Sequence, residues 1–419
     1  MSLTQADCLA LDQQPGFLAG QADLFAAGAP DTIYLDANSI GPMPLEARRR
    51  VMQVVDHGWR AARRRSWNET DWLTQPLSVG AGLSRILGAR PEDLVVADST
   101  TINQHRMLHL GLSLRAPRDV VVVQREVFPS NRHAAQAVTR MRGARLRDLA
   151  CESDLGAALA AGDVAVVALS LVDYRSSERL DLAGLTALAH AHGALVLWDL
   201  SHAAGAVAVD LRAAGVDLAV GCGYKYLCGG PGAPAWLFVH PRHRAAAVWP
   251  ALAGWMGHAD TFAFSPDFTP ADGVARHLSG TPPVLALAAF SAAAEIWQGV
   301  DPQRMDDRHR SLTDTLIRLI DEQCAPLGLV LASPREHARR GGHVALRFAA
   351  ATDEGDAGAL AQALVDAGVV VSSRKPDSLR LAPHPLVTRH AELWEAVIRL
   401  RAILEDERWR DARYRKPSV

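Results

Sequence analysis

The stretch ALVLWDLSHAAG, residues 194–205, decides the fold. Its first five residues are all apolar, too few for a helix, and they run straight into Asp199. A short apolar run bounded by turn residues reads as a strand buried on both faces. Asp199 then stands at the carboxyl end of that strand, where open α/β sheets bind their ligands. Runs of the same kind recur at 119–124 (DVVVVQ), 164–172 (VAVVALSLV), 216–220 (VDLAV) and 235–239 (AWLFV). Ala-rich amphipathic segments such as 154–161 and 182–192 separate them. Strands alternating with helices predict an α/β domain with a mostly parallel sheet and helices on both faces.

Working outward, the last third changes character. A helix is expected over 306–323, a half-buried strand over 343–348, a helix over 356–367, a strand over 369–373 and a long helix over 389–405. This mixture predicts a smaller α+β domain. The expected organisation is an N-terminal segment 1–44, a large α/β domain 45–285 and a small domain 286–419, with a loosely packed charged tail from 407 to 419.

The whole composition limits the function. Lys+Arg number 44 against Asp+Glu 46, so the chain lacks the basic surface of a general nucleic-acid binder. With 49% hydrophobic residues it is no disordered acidic chain. No segment offers the ~20 apolar residues of a membrane helix. Residues 1–16 have neither a basic start nor an apolar stretch, so no signal peptide is expected. Five scattered cysteines form neither a disulfide framework nor a zinc ligand set, which suits a reducing cytoplasm. His105 and His109 share a helix face but lack the glutamate of a zinc-protease motif, and no metal is expected. The arginines at 60, 63, 64 and 65 read as a solvated helix face.

A second stretch, GCGYKYLCGGPG at residues 221–232, follows the strand after Asp199. Most aspartate and lysine pairs are a strand-end carboxylate and a solvated lysine. A lysine between two tyrosines, flanked by glycines on both sides, is hard to explain as a solvated face. An aspartate at one strand end and Lys225 after the next fit pyridoxal 5′-phosphate (PLP). The lysine would bind the aldehyde, and the aspartate would keep the ring nitrogen protonated. Ser99-Thr100-Thr101 precede a helix and offer hydroxyls and free N–H groups to a phosphate, although an ordinary N-cap looks the same. Phe128, in FPSN at 128–131, offers a ring that could lie on a flat cofactor or simply pack a loop. Gly229 to Gly232 precede a strand, which argues against a dinucleotide loop.

With these residues in hand, the chain closely resembles the kynureninase family over nearly its whole length. The resemblance rests on YLDANS (34–39), RSWN (65–68), WDLSH (198–202), GYKYL (223–227), GWMGH (254–258) and GTPP (280–283). It implies a PLP enzyme of fold type I, in the class V group of the aspartate-aminotransferase fold. It implies that Lys225 is the Schiff-base lysine, Asp199 the partner of the ring nitrogen and His202 the histidine beside it. Phe128 resembles the ring-stacking aromatic. Thr100, Thr101, Ser130, Asn131, Ser170 and Tyr224 match cofactor-contacting positions. Trp255 and Thr281 match residues that reach the phosphate of a neighbouring subunit, which implies a homodimer with shared sites. Arg380 resembles the arginine that holds the substrate α-carboxylate, where a guanidinium fork binds bidentately. Ser39, Trp67 and His258 match the region that receives the aryl ketone.

The implied reaction is hydrolysis of L-kynurenine or 3-hydroxykynurenine to anthranilate or 3-hydroxyanthranilate and L-alanine. Lys225 and Asp199 would act there with Tyr224 as proton donor. The chain departs from the family pattern in three places. Asn131 stands where Asp is usual, Cys228 where Asn is common, and the segment 173–177 (DYRSS) lacks the usual Gly. Two alternatives follow. One is a PLP enzyme with a desulfurase-like reaction, which needs a mobile late cysteine, and Cys324 sits near an expected helix end. The other is a PLP-binding homologue that has lost catalysis.

Overall fold

The computed structural model describes residues 2–14, 21–244, 246, 248–350, 353 and 355–415. Positions 1, 15 and 16 of the N-terminal stretch and 416–419 of the tail, both read above, lie outside the described residues.

A two-residue strand, β1 (Ile33–Tyr34), comes first. The next seven are β2 (Leu94–Val96), β3 (Val120–Gln124), β4 (Arg145–Leu149), β5 (Val164–Ser170), β6 (Leu195–Asp199), β7 (Leu218–Gly221) and β8 (Trp236–Val239). They form one sheet in the order β2-β8-β7-β6-β5-β3-β4. From β4 to β7 all neighbours are parallel. β8 lies antiparallel to both β7 and β2. The connection out of β7 carries the Lys225 turn instead of a crossover helix, so the chain returns antiparallel.

The valine run of β3 shows why this sheet forms. Val120 and Val122 enter the apolar cluster on one face, and Val121 and Val123 enter that on the other. Successive side chains alternate faces, so a strand covered on both sides must be apolar throughout. Each fully buried valine contributes about 1.5–3 kcal/mol, and the β-branched side chain suits the pleat. Helices Thr100–Leu114 and Pro129–Arg142 cover one face.

The remaining strands are β9 (Leu329–Leu331), β10 (Val344–Phe348), β11 (Val369–Val370), β12 (Ser372–Arg374) and β13 (Ser378–Leu381). Four of them form an antiparallel sheet in the order β12-β13-β10-β9. The strand expected over 369–373 is split. β11 pairs with β1, whereas β12 pairs with β13, and Val371 lies between the two. A separate core unites this sheet with helices Pro302–Gln323, Asp356–Asp366 and His390–Glu405 and with Leu3 and Cys8 of the N-terminal segment. The tail corrects its expectation as far as residue 415. Trp409 and Tyr414 are buried in the same core, and Trp409 packs on Phe348 with ring centroids 4.8 Å apart. Two large rings outweigh the surrounding charge.

Helix Val284–Gly299 lies almost wholly beyond the expected division at 285/286, yet it sends Leu287, Phe290, Ala293 and Trp297 into the core of the large sheet. We propose that the large unit extends to about residue 300.

Candidate active site

A cavity of about 400 Å³ opens at the carboxyl ends of β5, β6 and β7. The sheet itself sets its floor. Ser170 ends β5 and stands in register with Asp199 at the end of β6, and Asp199 in turn with Val220 of β7. The chain then leaves β7 through Cys222 and Gly223 to Tyr224 and Lys225. The Lys225 carbonyl accepts the N–H of Cys228 at 2.9 Å, which closes the turn. The turn sits against Gly41, whose N–H donates to the Tyr224 carbonyl at 2.8 Å. Any Cβ at position 41 would collide with the Lys225 carbonyl, so only glycine permits this approach.

Ten residues singled out in the sequence line this one cavity: Thr100, Thr101, Phe128, Ser130, Asn131, Ser170, Asp199, His202, Tyr224 and Lys225. Lys225 Nζ lies 2.9 Å from His202 Nε2. Burial pushes the Lys225 ammonium below the ordinary lysine range and the His202 imidazolium well below its own. Burial also raises the Tyr224 phenol to about 12, so it stays protonated. Three neutral donors converge on the Asp199 carboxylate. Asn131 Nδ2 donates to Oδ2 at 2.7 Å, Gln104 Nε2 to the same oxygen at 3.3 Å and the Ser201 N–H to Oδ1 at 2.8 Å.

At the mouth, Ser99 caps the fifteen-residue helix Thr100–Leu114, its Oγ accepting from the Ile102 N–H at 3.4 Å. Thr100 and Thr101 stand in that first turn, where unpaired N–H groups and the helix dipole favour an anion. Phe128 is 45% exposed, and its ring meets Tyr174 edge-on at 5.3 Å.

Arg380, on β13, is fully buried beside this cavity. Its guanidinium donates to the Tyr174 carbonyl at 2.6 Å and to Ser372 Oγ at 2.8 Å, and it lies 3.5 Å from Ser39 Oγ. Both of these serines donate to Asp36 Oδ1, at 2.9 Å from Ser39 and 2.6 Å from Ser372. Burial lowers the Arg380 guanidinium to about 10.

Four of the residues singled out are not brought to the cavity within one chain. Trp67, Trp255 and Thr281 line a separate surface groove together with Phe262 and Phe264. His258 packs on Phe268, and its Nδ1 receives the Asp260 N–H at 2.9 Å. Sequence reasoning missed Gln104, Tyr174, Ser372 and Asp36. The YLDANS motif contained Asp36, but nothing there marked it as the carboxylate beneath Arg380. Among the described residues no group of three His, Cys, Asp or Glu is placed to hold a metal ion.

A family model described as the kynureninase C-terminal domain matches residues 305–400. A kynureninase from Pseudomonas fluorescens is 38% identical over 417 residues, 98% of each chain. The chain belongs to the kynureninase family. A kynureninase from Deinococcus radiodurans is 39% identical over 416 residues, 97% of each chain. Among solved structures, the Escherichia coli cysteine desulfurase CsdA superposes with a TM-score of 0.74 at 20% identity, covering 93% of this chain and 98% of its own. The cystine C-S lyase C-DES does so with a TM-score of 0.74 at 19% identity, covering 89% and 98%. At these identities the likeness speaks for the fold alone, and it bears out the expected fold type I architecture.

This member of the kynureninase family gives its three departures a physical form. Asn131 can donate to Asp199, which an ionised Asp cannot. Cys228 takes φ 60°, in the left-handed region that Asn and Gly tolerate best, and its thiol donates to the Tyr226 carbonyl at 3.2 Å. Ser177, with φ 65°, replaces a glycine by a buried residue whose Oγ accepts the His343 N–H at 3.2 Å and whose carbonyl accepts the Gly341 N–H at 2.7 Å.

Proposed function

We propose that this chain hydrolyses L-kynurenine, 3-hydroxykynurenine or both, releasing anthranilate or its 3-hydroxy form and L-alanine, with PLP held on Lys225. The observation that carries the reading is the cavity that Lys225, His202 and Asp199 line together, with Lys225 Nζ 2.9 Å from His202 Nε2, in a chain of this family. The donor set fits the cofactor. Asp199 accepts from two neutral side-chain amides and can meet a protonated ring nitrogen. Thr100 and Thr101 would hold the phosphate, Phe128 would lie on the ring, and Ser130, Asn131, Ser170 and His202 would complete the contacts. A C-DES mutant, which shares this fold, carries glycine covalently linked to its PLP cofactor.

Bound there, PLP supplies an electron sink for the charge released at the substrate Cα. The residues of the chain do the rest. Lys225, whose ammonium is disfavoured by burial, takes the Cα proton and later returns one. Asp199 stabilises positive charge on the ring side of the site. Tyr224, a phenol that stays protonated, donates a proton at the aryl carbonyl as water adds there. Arg380 takes the substrate α-carboxylate, its fork already oriented by the Tyr174 carbonyl and Ser372.

The working unit is a homodimer. Trp67, Trp255 and Thr281 lie outside the cavity of their own chain, in an exposed groove where Phe262 and Phe264 are 55% and 80% exposed. We assign Trp255 and Thr281 to the phosphate, and Trp67, His258 and Ser39 to the aryl group. For Trp67, Trp255, Thr281 and His258 the site served is that of the partner copy. No helix among the described residues is long and apolar enough to cross a membrane. The free cysteines suit a cytoplasmic setting.

A desulfurase-like reaction is disfavoured by Cys324. It is fully buried in the C-terminal core, and burial raises its thiol to about 12, the opposite of an accessible nucleophile. The test is to offer the PLP-loaded protein both substrates side by side. Release of an aromatic amine and alanine is expected, and no release from either substrate overturns the reading.

A further inference from the structure

Lys225 is backed by two buried histidines, of which the proposed reaction uses only one. Lys225 Nζ approaches His202 Nε2 at 2.9 Å. In the tautomer that accepts from a Lys225 ammonium at Nε2, a neutral His202 carries its proton on Nδ1. That Nδ1 is buried and has no hydrogen-bond partner among the described residues. A buried N–H left unpaired is costly, and sites of this kind are normally satisfied by a side chain or an ordered water.

The ring of His343 lies beside that of His202, with centroids 5.8 Å apart. His343 is fully buried, and neither of its ring nitrogens makes a hydrogen bond within the described residues. Burial pushes both imidazolium groups well below the ordinary histidine range, so each ring is held neutral and carries one N–H and one bare nitrogen. The backbone fixes the place of His343. Its N–H donates to Ser177 Oγ at 3.2 Å, and at the preceding Gly342 a Cβ would come within 2.6 Å of the Ala206 Cβ. His202 in that tautomer has a donor without an acceptor, and His343 beside it, with neither ring nitrogen paired among the described residues, has a bare nitrogen to offer.

We propose that His343 accepts the Nδ1–H of His202 through one buried water, and so locks His202 in the tautomer whose Nε2 receives Lys225. His343 is a positioning residue, acting on the lysine through His202. The inference deepens the proposed function and rests on its assignment of Lys225. Without the lock, His202 can turn an N–H toward the ammonium, and the amine loses the partner that aims it.

The test is the ring-nitrogen NMR spectrum of PLP-loaded protein labelled with ¹⁵N-histidine, with His202→Asn used only to assign the His202 signals. In the natural protein His202 should show the Nδ1–H tautomer. His343→Leu should shift it toward Nε2–H and lower kcat about tenfold at unchanged KM, the effect of one lost hydrogen bond. His343→Gln, which keeps an acceptor oxygen, should restore both. An Nε2–H tautomer in the natural protein, or a His202 spectrum unmoved by His343→Leu, overturns the proposal. Should His343→Leu fail to fold, the natural spectrum still decides. Failure of the natural protein to turn over kynurenine would strike the proposed function instead, and the tautomer is read independently of it.

Discussion

Asn131 Nδ2 donates a hydrogen bond to Asp199 Oδ2 at 2.7 Å, inside the buried floor of the cavity. The bond fixes the carboxylate without neutralising it. Removing it with Asn131→Ala should weaken PLP binding about tenfold, the effect of one charge-assisted hydrogen bond. Asn131→Asp should act differently. Two carboxyls at this distance cannot both ionise freely and come to share a proton. The pH–rate profile of that variant should show an additional ionisation, and a profile identical to that of the natural protein would contradict this account of Asn131.

Arg380 is held in place before any substrate arrives, by the Tyr174 carbonyl and Ser372. Arg380→Ala should therefore raise KM for kynurenine about 10- to 100-fold, the range of a lost charged hydrogen-bond pair, while PLP remains bound. Steady-state kinetics with the cofactor absorbance followed in parallel check both halves. An unchanged KM would mean that another group holds the carboxylate.

If Thr281 serves the site of a second copy, two crippled variants should rescue each other. Lys225→Ala and Thr281→Ala are refolded together from a mixture. The mixed dimers then hold one site with both lesions and one with neither. Activity should rise well above that of either variant alone. No gain on mixing, with mixed dimers confirmed by mass, would place Thr281 in the site of its own chain.

Much of this site was legible because its residues stand at strand ends. The apolar runs of β3, β5, β6 and β7 must be continuous to be buried on both faces, and such runs show directly where Asp199 and the Lys225 turn begin. Gln104 escaped because it sits on a helix buried on several sides, where no periodicity marks one polar side chain as aimed at Asp199. The break at Val371 escaped because a single apolar run can serve two sheets. Tyr174 acts on Arg380 through its backbone carbonyl, a role that residue type does not signal. Trp67, Trp255 and Thr281 line a groove apart from the cavity, and only the proposed second copy would give it a place in the site.

Buried neutral histidines set the response to acid. Burial lowers His277 to about 3, His309 to about 4 and His384 to about 3. Unfolded histidines titrate near pH 6.5, so between that pH and about 4 the unfolded chain binds more protons than the folded one. Their contribution is fully present above pH 6.5 and is lost as pH falls toward the folded values, each adding a slope of ~1.4 kcal/mol per pH unit. Urea midpoints should drop clearly from pH 7 to pH 5. Equal midpoints would mean that these imidazoles are already protonated in the fold.

The most direct measurement follows anthranilate fluorescence when PLP-loaded protein and its Lys225→Ala variant are each given L-kynurenine, and then 3-hydroxykynurenine with its own product followed. The natural protein should release product from at least one substrate, and the variant should fall to background. No product from the natural protein, or undiminished turnover by Lys225→Ala, would contradict the assignment of this site.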